Sequence, residues 1–188
     1  MSWLIVVLGY LIGSIPTGYL AGRLLRGKDI RQMGDGNMGA QNAVRQLGAR
    51  VGVIVGLLDA AKGSLTILLA WAAHVPDISL YLAGAAAVIG HNWPVFLGFR
   101  GGRGEATTLG ILLTLMPLPT IILLVPGLVI AFVTHNVILA SALGFIPLPL
   151  VAWWLHTPGP YIIYALGLLI LVALTHLVRV KKVVTRQA

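Results

Sequence analysis

The chain has 188 residues, 58% of them hydrophobic and only 10% charged, with a formal net charge of +8 and a mean hydropathy of +0.94. A water-soluble domain needs far more charged surface, so composition excludes one and places the chain in lipid. Cysteine is absent, which excludes a disulfide framework, a thiolate metal site and a cysteine nucleophile.

In chain order, about seven apolar segments approach the roughly 20 residues that cross a bilayer as a helix. They lie near 3–22, 51–72, 79–97, 105–117, 118–134, 136–155 and 160–178. This predicts an all-α, polytopic membrane protein with short glycine-rich loops, a single membrane-embedded domain over 1–188. The first segment runs into "GRLLRGK" with no small-residue cleavage site, so it reads as a retained span and not a removed signal peptide.

The loop 23–50 is too polar to span and too rich in glycine for one uninterrupted helix. Gly34, Gly36 and Gly39 allow a tight, positive-φ backbone with exposed amides, a way of cradling an anion. After Gly39, "AQNAVRQLGA" predicts a short interfacial helix carrying Arg45, whose N-terminal amides add positive potential at the same place. A plain surface connector is the other reading. In the second span, Asp59 and Lys62 are spaced i, i+3 and share one helix face, either as a structural ion pair or at the edge of a polar site. In "FLGFRGGRGEATTLG", Gly101, Gly102 and Gly104 surround Arg103 just beyond Arg100 and just before a span. Glycine amides, guanidinium groups and a helix N-terminus are three devices for holding phosphate. The spacing is not that of a Walker loop.

Twelve of the thirteen Lys and Arg residues fall within 23–50, 100–103 and 179–186, all on one side of a seven-span arrangement. The positive-inside rule makes that side cytoplasmic, with the N-terminus outside and the C-terminus inside. Attraction to anionic lipid is a sufficient reason for much of this charge. Nucleic acid is not an expected partner, because stacking aromatics on a soluble fold are lacking. His91, His135 and His176 lack metal-ligand spacing, so no metal is expected, and Trp93 reads as an interfacial anchor.

"GSIPTGYLAGRL", "GDGNMGAQNAVRQLG", "LLDAAKG" and "GHNWPVFLGFRGGRGEATTLG" follow one another in an order and spacing that resembles the bacterial acyl-phosphate:glycerol-3-phosphate acyltransferases, the PlsY family. The resemblance covers about residues 9 to 110. It implies a seven-helix enzyme of the bacterial inner (plasma) membrane with its active site facing the cytoplasm. The implied reaction moves a fatty acyl group from acyl phosphate to the 1-hydroxyl of glycerol 3-phosphate, in contact with membrane lipids, giving lysophosphatidic acid and phosphate. Neither a cofactor nor an obligate protein partner is implied. Acyl phosphate is already activated, so positioning and charge neutralisation suffice and no acyl-enzyme is required.

Carried over residue by residue, Asn37, Gly39, Asn42 and Arg45 match the first loop, beside Gly36. His91, Pro94, Gly101, Gly102, Arg103 and Gly104 match the second, where the family usually has Lys in place of Arg103. Arg45 and Arg103 are the expected phosphate ligands, supplemented by glycine amides. His91 is either a capping or core polar group or a catalytic one. The chain departs from the pattern at Asp35 (usually Ser), Gln41 (usually Thr) and Glu105 (usually small and apolar). Two carboxylates are thereby added to a phosphate site. Asp35 could serve as a general base, or both could pair with the arginines and lower affinity for glycerol 3-phosphate. A different acceptor and neutral drift are both open, with Glu105 favouring a helix N-terminus. The family's third motif is reduced to "THNVILASA", with His135 near the arginine position and Ser141 in the serine's place, and the C-terminal motif to "THLVRVKKVV", which keeps His176. A membrane transporter or lipid-binding protein is the competing class. Against it, no internal inverted repeat is evident and the polar residues gather at one membrane face.

Overall fold

The computed structural model describes residues 2–134 and 136–184, with side chains as far as residue 178. His135 and the basic stretch 179–186 therefore lie outside the described side chains. All regular structure among the described residues is helical. Among the described residues six stretches are long and apolar enough to span a membrane: Ser2–Arg26, Ala49–Ala72, Asp77–Leu97, Pro117–Thr134, Val137–Trp154 and Gly159–Val178. The shorter apolar helix Glu105–Leu115 makes up the expected set of about seven.

The chain divides into two compact units, Met1–Ile111 and Leu112–Ala188. The first contains α1 (Ser2–Gly13), α2 (Thr17–Arg26), α3 (Ala40–Leu47), α4 (Ala49–Ala72), α5 (Asp77–Asn92) and the start of α6 (Glu105–Leu115). The expected first span is two helices because Pro16 has no N–H to continue the ladder. Ser14 still closes onto Tyr10 at 2.9 Å, after which the chain re-enters helix at Thr17. α1 packs on α5 through small residues. A methyl group at Gly9 or Gly13 would overlap the carbonyl of Ala83 or Ala87, so glycine is what allows the two backbones to approach this closely.

Large apolar side chains cover the outside, among them Trp3 at 78% and Phe132 at 81% exposure. On a soluble protein such a surface would demand a partner, whereas here the partner is the acyl region of the bilayer. The polar loop after α2 is ordered by an apolar core of its own. Ile30, Met38, Ala43, Leu47 and Val55 bury against one another and tie the loop and α3 to α4.

The second unit holds α7 (Pro117–Thr134), α8 (Val137–Phe145), α9 (Leu148–Trp154) and α10 (Gly159–Val184). Its core is Leu112, Met116, Leu148, Ala152 and Ala165. α8 starts where Asn136 accepts the Leu139 N–H at 3.0 Å, an N-cap that satisfies one otherwise open amide.

Candidate active site

The first polar segment is built around two side chains. Asp29 accepts the backbone N–H of Arg31 at 3.0 Å and opens a single 3-10 turn, Ile30–Gln32. The Arg31 guanidinium returns to the same carboxylate by two parallel bonds, Nε to Oδ1 at 3.0 Å and Nη2 to Oδ2 at 2.7 Å. Its remaining arm, Nη1, donates to the carbonyls of Leu97 at 2.9 Å and Arg100 at 3.3 Å. The planar fork thus straps the first loop to the second, a geometry lysine cannot reproduce. The Arg31 hydrogen bonds hold the Asp29 carboxyl below the usual carboxylate range.

Asn42, on α3, is fully buried. Its Nδ2 gathers the carbonyls of Ile30 (3.2 Å), Met33 (2.9 Å) and Asn37 (2.7 Å), drawing the loop into a compact coil. Gly34, at φ +58°, faces its Oδ1, where a methyl group would collide. Of the three glycines expected at positive φ, Gly34 and Gly36 are so placed, while Gly39 is extended at φ −77° and serves as the N-cap of α3.

The second loop folds back over the end of α5. Gly102 donates to the carbonyl of His91 at 2.9 Å and Gly101 to that of Asn92 at 3.1 Å. These amides, expected as anion donors, cap α5 and shape the loop. A methyl group at Gly102 would overlap His91 Nε2, so the loop lies directly on the imidazole. Beneath it is a buried charged cluster. One oxygen of Asp59, Oδ1, takes the Thr17 hydroxyl at 2.6 Å and Lys62 Nζ at 2.8 Å, with His91 Nδ1 at 3.4 Å. Lys62 also donates to the Ile15 carbonyl at 2.9 Å, in the break between α1 and α2. The i, i+3 pair anticipated from sequence is formed, and it joins α2, α4 and α5 under the loop.

Arg103 leaves this loop toward the first one. Its Nη2 stands 3.7 Å from Asp35 Oδ2, with side-chain exposures of 16% and 27%. The other Asp35 oxygen accepts the Asn37 N–H at 3.0 Å. Arg103 Nε and Asn37 Oδ1 are buried and have no protein partner among the described residues. Gly104 turns at φ +83° and Glu105 opens α6, whose first-turn amides have no acceptor inside the helix. Asp35, Gly36, Asn37, Asn42, the second glycine loop and Arg103 therefore belong to one region of the first unit. Arg45 sits exposed in the last turn of α3. Ser141, on α8, and His176, on α10, belong to the second unit. Sequence reasoning missed Asp29, Arg31 and Thr17. The first two carried one usable signal, an Asp two residues before an Arg ahead of a glycine loop.

The profile of the glycerol-3-phosphate acyltransferase family matches residues 3–186, nearly the whole chain. The chain belongs to the glycerol-3-phosphate acyltransferase family. It is 49% identical over 182 residues to glycerol-3-phosphate acyltransferase 4 of Dehalococcoides mccartyi, covering 97% of this chain and 98% of the relative. With the glycerol-3-phosphate acyltransferase of Bacillus subtilis it shares 39% identity over 97% of this chain and 94% of that one. Among solved structures it is similar to PlsY, an integral membrane glycerol 3-phosphate acyltransferase, in its glycerol 3-phosphate form. The TM-score is 0.85 at 33% identity, over 98% of this chain and 92% of that one. The lysophosphatidic acid form of the same protein matches with a TM-score of 0.82. As a member of the acyltransferase family with this fold, the chain is an integral membrane protein, and its two glycine loops are held by Arg31 and Asn42.

Proposed function

We propose that this chain transfers a fatty acyl group from acyl phosphate to the 1-hydroxyl of glycerol 3-phosphate, at the cytoplasmic face of the bacterial inner membrane. The products are lysophosphatidic acid, which stays in the bilayer, and inorganic phosphate. Residues 1–188 act as one acyltransferase domain, with the N-terminus outside and the C-terminus inside, as the clustering of basic residues supports.

The observation that carries this reading is Arg103. It is a mostly buried guanidinium whose Nε has no partner among the described residues, set between two polar loops at the start of α6. Buried donors of this kind are normally satisfied, and a phosphate oxygen is a fitting acceptor. Arg103 holds a substrate phosphate, with Asn37 beside it and the α6 N-terminus adding positive potential. Arg45, on the exposed side of α3, meets the second phosphate or guides it in from solution. Glu105 borders this site at the helix start, and Gly36, Gly39, Gly101, Gly102 and Gly104 keep the backbone close to the ligand. His91 acts by positioning, because it lies under Gly102 and against Asp59. Ser141 and His176, matched from the family motifs, are proposed as substrate-binding residues.

The acyl chain has a place as well. An open, largely apolar groove of about 620 Å³ is lined by Ile12, Ile15, Leu58, Ala61, Leu65 and Leu68, with Thr17, Lys62 and Ser64 as polar members. In the reaction the acceptor hydroxyl attacks the acyl carbonyl, the hydroxyl proton is lost, and phosphate departs with the electrons of the cleaved anhydride bond. Positive charge around the departing phosphate stabilises that step, and fixing both substrates supplies the rest.

The decisive experiment follows phosphate release by purified protein from acyl phosphate, with and without glycerol 3-phosphate, together with the lipid product. Acceptor-dependent release with lysophosphatidic acid formed is expected. Folded protein that releases no phosphate and makes no lysophosphatidic acid would overturn the proposal.

A further inference from the structure

Asp35 and Arg103 come from two loops separated by two helical spans, yet they face each other at 3.7 Å. That distance is beyond a hydrogen bond, so the attraction is Coulombic and leaves the guanidinium donors geometrically unfilled. The carboxylate is nevertheless fixed in place, because its other oxygen accepts the Asn37 N–H at 3.0 Å. Arg103 Nε has no protein partner among the described residues. The arginine is thus neutralised by a fixed internal anion while its hydrogen-bonding capacity remains partly open.

We infer that Asp35 is the resident anion of the Arg103 site, a built-in competitor that sets how tightly the site takes a phosphate. An incoming ligand must displace the Asp35 carboxylate from the guanidinium. A phosphate monoester does so by bringing two charges and oxygens able to engage Nε and Nη2 together, a bidentate contact that Asp35 does not make. A carboxylate or halide offers one charge, no more than Asp35 already supplies. The internal carboxylate is therefore the competitor that any ligand must beat. The cost is affinity, since every ligand binds against that competition. The inference rests on the reading of Arg103 as a phosphate ligand.

The test uses Asp35→Asn and Asp35→Ser, both of which retain an oxygen to accept the Asn37 N–H while removing the charge. In the acyl-transfer assay the KM for glycerol 3-phosphate should fall about fivefold, the scale of losing one partly exposed ion pair. The kcat should change less than the KM, and inhibition by inorganic phosphate and by acetate should both strengthen, because each loses the same competitor. Isothermal titration of inorganic phosphate into wild-type and variant protein provides an arm that needs no turnover, and tighter binding by both variants is expected there. Unchanged binding and unchanged KM would overturn the inference. So would a fall in kcat of a hundredfold or more at constant KM, because that is the signature of a lost general base. A wild-type protein that binds phosphate but transfers no acyl group would count against the proposed reaction alone.

Discussion

Arg31 Nη1 donates to the carbonyl oxygen of Leu97 at 2.9 Å, across 66 positions of sequence. Through this bond and its partner at Arg100 the first loop fixes the height of the second, and with it the place from which Arg103 departs. Arg31→Lys keeps the charge but loses the fork, so kcat/KM should fall roughly tenfold. Arg31→Ala should cost about a hundredfold, the scale associated with ångström-level misplacement of reacting groups. Steady-state acyl transfer checks both, and wild-type rates in Arg31→Lys would show that the strap positions nothing.

The same strap carries a pH dependence. Asp29 has its carboxyl lowered from the ordinary value of 3.8 by the Arg31 hydrogen bonds. A depressed folded-state value means that the pair stabilises the protein fully above the unfolded value. That contribution disappears as pH falls through the folded value. Thermal unfolding of wild type and Asp29→Asn should therefore differ by about 1 kcal/mol at neutral pH. The two curves should begin to approach each other near the unfolded value of about 4 and meet only below the lower, folded value. A gap that persists in acid would place the effect elsewhere.

Asp59 and Lys62 predict an asymmetry between single and double replacement. Lys62→Met leaves a buried carboxylate with only Thr17 and His91, and removing one member of a buried pair costs about 3–5 kcal/mol. The double variant Asp59→Asn, Lys62→Met leaves no unpaired charge and should recover at least half of that loss. Unfolding in detergent micelles measures the difference, and additive losses would argue against direct coupling.

Gly102 and His91 should be coupled through space. A methyl group at Gly102 meets His91 Nε2, so Gly102→Ala must lift the loop or turn the ring. Activity should drop about a hundredfold. Adding His91→Ala removes the obstruction, so the double variant should be more active than the product of the two single effects predicts. A multiplicative double-mutant cycle would separate the two residues.

Several of these features are legible in the sequence because they are local. The spans declare themselves by length and hydropathy, the Asp59 and Lys62 pair by its i, i+3 spacing, and α3 by the glycine that precedes it. Family resemblance placed the two glycine loops together. Periodicity is silent about Arg31 on Leu97 or Thr17 on Asp59, since those contacts depend on how spans meet and leave no repeat in the chain. The Gly101 and Gly102 amides were misjudged for a related reason. A glycine-rich stretch advertises free donors, and only the fold shows that the last carbonyls of α5 reach them first.

The placement of Lys62 one turn after Asp59 also bears on how this protein enters its membrane. A lone Asp or Lys at the centre of a span costs about 2.5–3.5 kcal/mol to insert. At 2.8 Å on one face of α4, each serves as the other's counter-ion before any neighbouring helix arrives. The helix can leave the translocon as a nearly neutral body. Thr17 and His91 then complete a polar shell during bundle assembly, so the cluster that supports the loops is also what lets its own helix arrive in lipid.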